Sequence, residues 1–162
     1  MVEYQDDLAH QLLERCAEKG LTIAVAESLT GGQLASTLVS VPGASRVFRG
    51  GAVTYATDTK AHVLGVDAQR LADFGPVDRE VAKQMAAGVG KLFDVDAALA
   101  TTGVAGPGPA DGHPAGHVWI GLWRRGGDAQ GFVYDFDGDR SDVRYRTVIA
   151  SLSRLLAEIE CV

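Results

Sequence analysis

Four hydroxyls sit in glycine-flanked turns where a nucleophile could be displayed. They are Ser28 and Thr30 in Glu27-Ser-Leu-Thr-Gly-Gly32, Ser45 in Val41-Pro-Gly-Ala-Ser45, and Thr102 ahead of Gly103. An alcohol attacks a carbonyl carbon efficiently only if a base takes its proton. Histidine is the usual base, yet His10, His62, His113 and His117 have no companion acid at a persuasive spacing and read as surface or supporting polar residues. No His/Cys/Asp group has ligand-like spacing, so no metal is expected. Lysine can replace histidine, provided that burial or a neighbouring cation keeps it neutral. Of the four lysines, Lys19, Lys83 and Lys91 fall on solvated faces of expected helices. Lys60 follows the strand 52–55 within one helical turn, among Ala56, Ala61, Val63 and Leu64. An apolar pocket there could strip its charge, although an exposed lysine in a helix's first turns fits the residues equally well.

The turn Ser28-Leu-Thr-Gly31-Gly32 follows an apolar run and opens a helix, so its free N–H groups could hold a phosphate. Ordinary helix capping by Ser28 or Thr30 is the plainer reading. The turn is neither a Walker A loop nor a dinucleotide fingerprint. Arg140, in Gly138-Asp-Arg140, could add a positive charge for the same anion, or could simply be solvated and paired with Asp139.

The elements that must position these residues can be read from periodicity. Tyr4, Leu8, Leu12 and Cys16 make a helical stripe closed by Gly20. Residues 21–26 read as a buried strand and 33–40 as a helix; 52–55 form a second strand. Thr57 or Asp58 is expected to cap a short helix through Leu64, and residues 68–74 form another. Asp78 caps a longer one carrying Val81, Met85, Val89 and Leu92 on one face. Residues 96–102 are the third strand, and the turn-rich stretch 103–112 reads as an active loop. A hairpin, 117–124 with 131–136, precedes a last helix striped by Val148, Leu152, Leu155 and Ile159. Trp119 and Trp123 share one strand face and suggest packing against a helix or a subunit. This order predicts a three-layer α/β/α sandwich with a mixed, mostly parallel sheet, and ligands are expected beyond the carboxyl ends of its strands.

The 162 residues, 46% hydrophobic, suit a single domain spanning 1–162. A net charge of -6 argues against nucleic acid as a partner. Cys16 and Cys161 are too few for a disulfide framework. The acidic, polar start is unlike a signal peptide, and no apolar run reaches membrane-spanning length, so a cytoplasmic protein without membrane contact is expected.

Six separated segments carry a resemblance: Ala26-Glu-Ser-Leu-Thr-Gly-Gly32; Pro42-Gly-Ala-Ser45; Gly51-Ala-Val-Thr-Tyr55 with Lys60; Thr102-Gly-Val-Ala-Gly-Pro107; Gly116-His-Val-Trp119; and Gly138-Asp-Arg140. In this order they resemble the CinA C-terminal family, whose stand-alone members include bacterial nicotinamide mononucleotide deamidases. The resemblance runs from about Leu8 to Leu156. It implies an α/β/α fold and hydrolysis of nicotinamide mononucleotide to nicotinate mononucleotide and ammonia by a Ser/Lys dyad, with no metal or cofactor. Carried onto this chain, it implies Ser45 as nucleophile, preferred over Ser28, Lys60 as general base, and Tyr55 assisting by hydrogen bonding. Ser28, Thr30, Gly31, Gly32, Thr102 and Gly103 would shape the substrate and oxyanion pocket, and Arg140 would meet the phosphate. A small nucleotide is then the expected partner, with a homodimer as the family-based expectation. The alternative is a catalytically silent module that keeps the nucleotide pocket. Two departures stand out. Val77-Asp78-Arg79 replaces a serine–glutamate pair common in the family, and Thr57-Asp58-Thr59 precedes Lys60 where acidic or amide residues and alanine are common. The preceding domain of larger CinA proteins is missing from this sequence, so its pyrophosphatase-type activity and any link to competence are not carried over.

Overall fold

A computed structural model of the chain describes residues 2–161. Five strands, β1 (Ile23–Glu27), β2 (Phe48–Val53), β3 (Ala97–Gly103), β4 (His117–Arg124) and β5 (Gln130–Asp135), form one sheet in the order β2-β1-β3-β4-β5. β1 runs parallel to both β2 and β3, whereas β4 is antiparallel to β3 and to β5. Four strands therefore point one way and β4 alone points back, which is the mixed, mostly parallel sheet expected.

Side-chain alternation along the inner strands divides the core in two. Ile23, Val25, Ala97 and Leu99 face one layer, made by α1 (Val2–Glu18), α2 (Gln33–Val39) and α6 (Arg140–Glu160). Ala24, Ala26, Ala98 and Ala100 face the other, made by α3 (Thr57–Leu64), α4 (Ala68–Phe74) and α5 (Arg79–Leu92). The second face is almost all alanine, so α5 can lie close to the sheet. At Gly121 on β4 that approach leaves no room for a side chain: a Cβ there would stand 2.0 Å from the backbone oxygen of Ala82. Trp123 fills the neighbouring space against Gly90 of α5 and so packs on a helix, as its sequence position suggested. Gly121→Ala should therefore cost about 2–3 kcal/mol, because the obstacle is backbone and cannot swing aside. A urea titration with an unchanged midpoint would show that α5 can retreat freely.

Two local expectations shift. β2 begins at Phe48, four residues ahead of the expected strand, because Gly50 and Gly51 belong to it. They are not turn residues; Phe93 and Val25 press on them closely enough to exclude a Cβ. At the start of α3, Ala56 is the N-cap, and neither Thr57 nor Asp58 caps. Asp78 and Asp139 do cap α5 and α6, the latter in a reciprocal capping box with Asp142. Among the described residues, no helix is long and apolar enough to cross a membrane.

Candidate active site

Ser28 is the first residue after β1, and its amide extends the parallel ladder by donating to the Thr101 carbonyl oxygen at 3.0 Å. Lys60 lies one turn into α3, and its side chain is entirely buried. The chain between β2 and α3 turns so that the amine reaches back beneath it. Lys60 Nζ is 2.5 Å from the Thr54 carbonyl oxygen, 3.4 Å from that of Tyr55, and 3.0 Å from Ser28 Oγ. Two carbonyls can accept only N–H protons, so they occupy two of the amine's directions. In the neutral amine the remaining direction, toward Ser28, is a lone pair that accepts the hydroxyl proton. Burial pushes the Lys60 pKa down from 10.5 to about 8, against the opposing pull of the Asp111 carboxylate. Roughly one molecule in ten then carries the neutral amine at pH 7.

The pair lies on the wall of an open cleft of about 230 Å³ beyond the carboxyl ends of β1 and β3. Thr102, Gly103 and the segment from Val104 to Gly106 line it as well. Arg140, at the start of α6, stands at the same cleft with Tyr55. Its Nη1 donates to the Gly106 carbonyl at 2.7 Å and its Nη2 to the Tyr55 hydroxyl at 3.3 Å. Asp139 caps α6 and does not pair with it, so the guanidinium is held by neutral groups.

Ser45 does not belong to this site. It sits exposed in a 3-10 turn, Ala44–Arg46, just before β2, and Phe48 at the start of β2 pairs with Ile23 at the start of β1. In parallel strands the starts lie together, so Ser45 is at one end of β1 and Ser28 at the other. About five strand residues, on the order of 16 Å, intervene. The structure thus does not bring Ser45, the serine preferred from the resemblance, to Lys60; the hydroxyl within reach of the amine is that of Ser28. Tyr55 also differs from expectation: its phenol is 63% exposed and engages Arg140, while only its carbonyl touches Lys60.

The turn expected to cradle a phosphate is already satisfied internally. Glu27, 1% exposed, accepts from the Leu34 and Ala35 amides at 2.8 and 3.0 Å, so a protein carboxylate occupies the start of α2. Thr30 is fully buried with its hydroxyl 2.8 Å from that of Thr101, and Gly31 and Gly32 lie outside the cleft lining. Their left-handed backbones, φ 57° and 103°, shape the turn instead. Thr102 reaches the cleft, but its hydroxyl donates to the Pro76 carbonyl at 2.6 Å. Arg144 of α6 was not singled out by sequence. It grips the turn through the carbonyls of Leu29 and Thr30 at 3.0 and 3.1 Å, and nothing local in the sequence marks it.

A profile of the CinA C-terminal domain matches residues 5–159. The chain belongs to the CinA C-terminal domain family. A relative from Lacticaseibacillus casei is 43% identical over 159 residues, covering 97% of this chain and 38% of that protein. A CinA-like protein from Gemmatimonas aurantiaca is 41% identical over 154 residues, covering 94% of this chain and 36% of its own length. The chain thus spans less than two fifths of these curated CinA relatives. A solved CinA superfamily protein from Klebsiella pneumoniae is 30% identical with a TM-score of 0.93, covering 98% of this chain and 99% of that one. The names of these CinA relatives go no further than competence-damage inducibility or CinA likeness.

Proposed function

We propose that the chain is a cytoplasmic amidohydrolase that converts nicotinamide mononucleotide to nicotinate mononucleotide and ammonia, with Ser28 as nucleophile and Lys60 as base. The observation that carries the chemistry is the buried amine 3.0 Å from a hydroxyl at an open cleft. The choice of substrate follows from the family resemblance, together with a guanidinium held ready at the mouth.

The steps balance as an ordinary amide hydrolysis. Neutral Lys60 takes the Ser28 proton while Oγ bonds to the carboxamide carbon. The Ser28 amide is committed to Thr101, so other backbone N–H groups of the cleft must hold the tetrahedral oxyanion. The Lys60 ammonium then protonates the departing nitrogen, ammonia leaves, and an acyl ester remains on Ser28. Water attacks that ester with Lys60 again as base, which frees the nicotinate product and restores the serine.

Purified protein incubated with nicotinamide mononucleotide should release ammonia and nicotinate mononucleotide in equal amounts. Binding with no release would instead favour a silent nucleotide-binding module, and neither binding nor release would remove the substrate assignment. Arg140→Ala should raise KM about tenfold with kcat little changed, because the lost contact is to the unreacting phosphate. A variant that loses kcat with KM unchanged would take Arg140 off the phosphate.

A further inference from the structure

Among the described residues lining the cleft, three side chains carry charge: Lys60, Arg140 and Asp111. Two have roles above, and the third has none. Asp111 is displayed by a tight turn. Ala110 and His113 form an isolated antiparallel bridge, with amide-to-carbonyl bonds of 3.1 and 2.9 Å in the two directions. The two residues between them, Asp111 and Gly112, have φ of 51° and 80°. That is a two-residue Asp-Gly hairpin with both central residues left-handed, the turn whose twist suits paired strands. The backbone is thereby committed to presenting this carboxylate beside the cleft.

For the chemistry alone the placement is awkward. A carboxylate near Lys60 favours the protonated amine, which cannot accept the serine proton. A negative charge that opposes the base needs another use at this position.

We propose that Asp111 determines specificity by recognising the positive charge of a pyridinium ring, so that the cleft selects amides borne on cationic rings over amides on neutral ones. This rests on the function proposed above and names the feature of the substrate that the cleft reads. In a nicotinamide nucleotide the carboxamide, the cationic ring and the phosphate follow one another along the molecule. The one cleft that displays Ser28 with Lys60 also displays Asp111 and Arg140, so a group complementary to each of the three lines it. Like charges placed the other way round would repel, which makes such an arrangement selective as well as attractive.

The test compares nicotinamide mononucleotide with its 1,4-dihydro form, which keeps the carboxamide, ribose and phosphate but has a neutral ring. Dissociation constants are measured by calorimetry in the Ser28→Ala variant, where no turnover interferes, with and without Asp111→Asn. Asparagine accepts a left-handed backbone as readily as aspartate, so the turn is kept. With Asp111 present, the cationic form should bind about fivefold tighter than the neutral one. Asp111→Asn should erase that preference by weakening the cationic form alone. A preference that survives the substitution, or equal weakening of both forms, overturns the inference. Turnover by the unmodified protein is assayed separately. Turnover with an unaltered preference refutes only the role of Asp111, whereas a collapsed preference without turnover refutes only the hydrolytic function. If neither form binds, both fall.

Discussion

On the proposed mechanism, Ser28→Ala should lower kcat/KM for nicotinamide mononucleotide by at least about 10³-fold, and Ser45→Ala should leave it within about twofold. Removing a nucleophile abolishes the covalent route and leaves only what binding and oxyanion stabilisation can do. Removing an exposed serine before β2, with the length of β1 between it and the base, changes nothing the reaction uses. Fold loss is a poor explanation for the first effect. The Ser28 side chain makes a single hydrogen bond to Lys60, and the turn is held independently by Glu27 at the start of α2 and by Arg144 from α6. Thermal melting of both variants should therefore stay close to the parent. Equal losses at the two serines, or loss at Ser45 alone, would reject the Ser28–Lys60 pair as the reacting groups.

Lys60→Met and Lys60→Arg should both lower kcat/KM by about 10³-fold or more, the arginine because its guanidinium stays protonated at any working pH. The unmodified protein should show log kcat/KM rising with unit slope up to pH about 8 and then levelling, since the base works only after losing its proton. A flat profile from pH 6 to 9 would exclude Lys60 as the titrating base. Stability follows the same group with a definite sign. A lysine whose folded pKa is below its unfolded 10.5 binds its proton less well in the native state. The resulting cost, on the order of 3 kcal/mol, is fully present below pH 8 and disappears as pH rises from about 8 to 10.5. The parent should therefore gain stability over that range relative to Lys60→Met, which has no such group. Parallel stability curves for the two proteins would show that the amine is not desolvated.

The site needs this cost. An amine made fully comfortable by a close carboxylate would remain charged and inert. One left in water would be almost wholly protonated at neutral pH. Burial against two carbonyls and one hydroxyl holds Lys60 between those limits, with Asp111 moderating the shift from the cleft side. The carbonyls of Thr54 and Tyr55 matter because they aim the third direction of the nitrogen at Ser28, which a flexible lysine on an open helix could not sustain.

Much of the architecture was legible from local pattern. The four-residue spacing of Leu8, Leu12 and Cys16 marked the buried face of α1, although Tyr4 at the head of the same stripe is 58% exposed. Apolar runs bounded by glycine suited inner strands, and Asp78 stood where α5 begins; Asp139, read as a possible partner of Arg140, caps α6 instead. The apolar neighbourhood directly after a strand marked Lys60 as a candidate base, but its burial was not legible, because an exposed lysine fitted the same residues equally well. Nor was the extent of β2, since Gly50 and Gly51 read as a turn until Phe93 and Val25 are seen packed over them. The partner of Lys60 was not legible either. Ser28 and Ser45 stand in similar glycine-flanked turns, and nothing within a few residues of either says which end of the sheet it occupies. That is decided by the parallel register of β1 with β2, which brings Phe48 beside Ile23 and sends the two serines to opposite ends. Periodicity and turn chemistry are short-range, so the chain alone determined its elements, its layers and its candidate base. Contacts between residues 32 positions apart depend on strand order and crossover, and only the folded sheet brought Ser28 to Lys60, filled the α2 terminus with Glu27, and set Arg140 and Asp111 at one cleft.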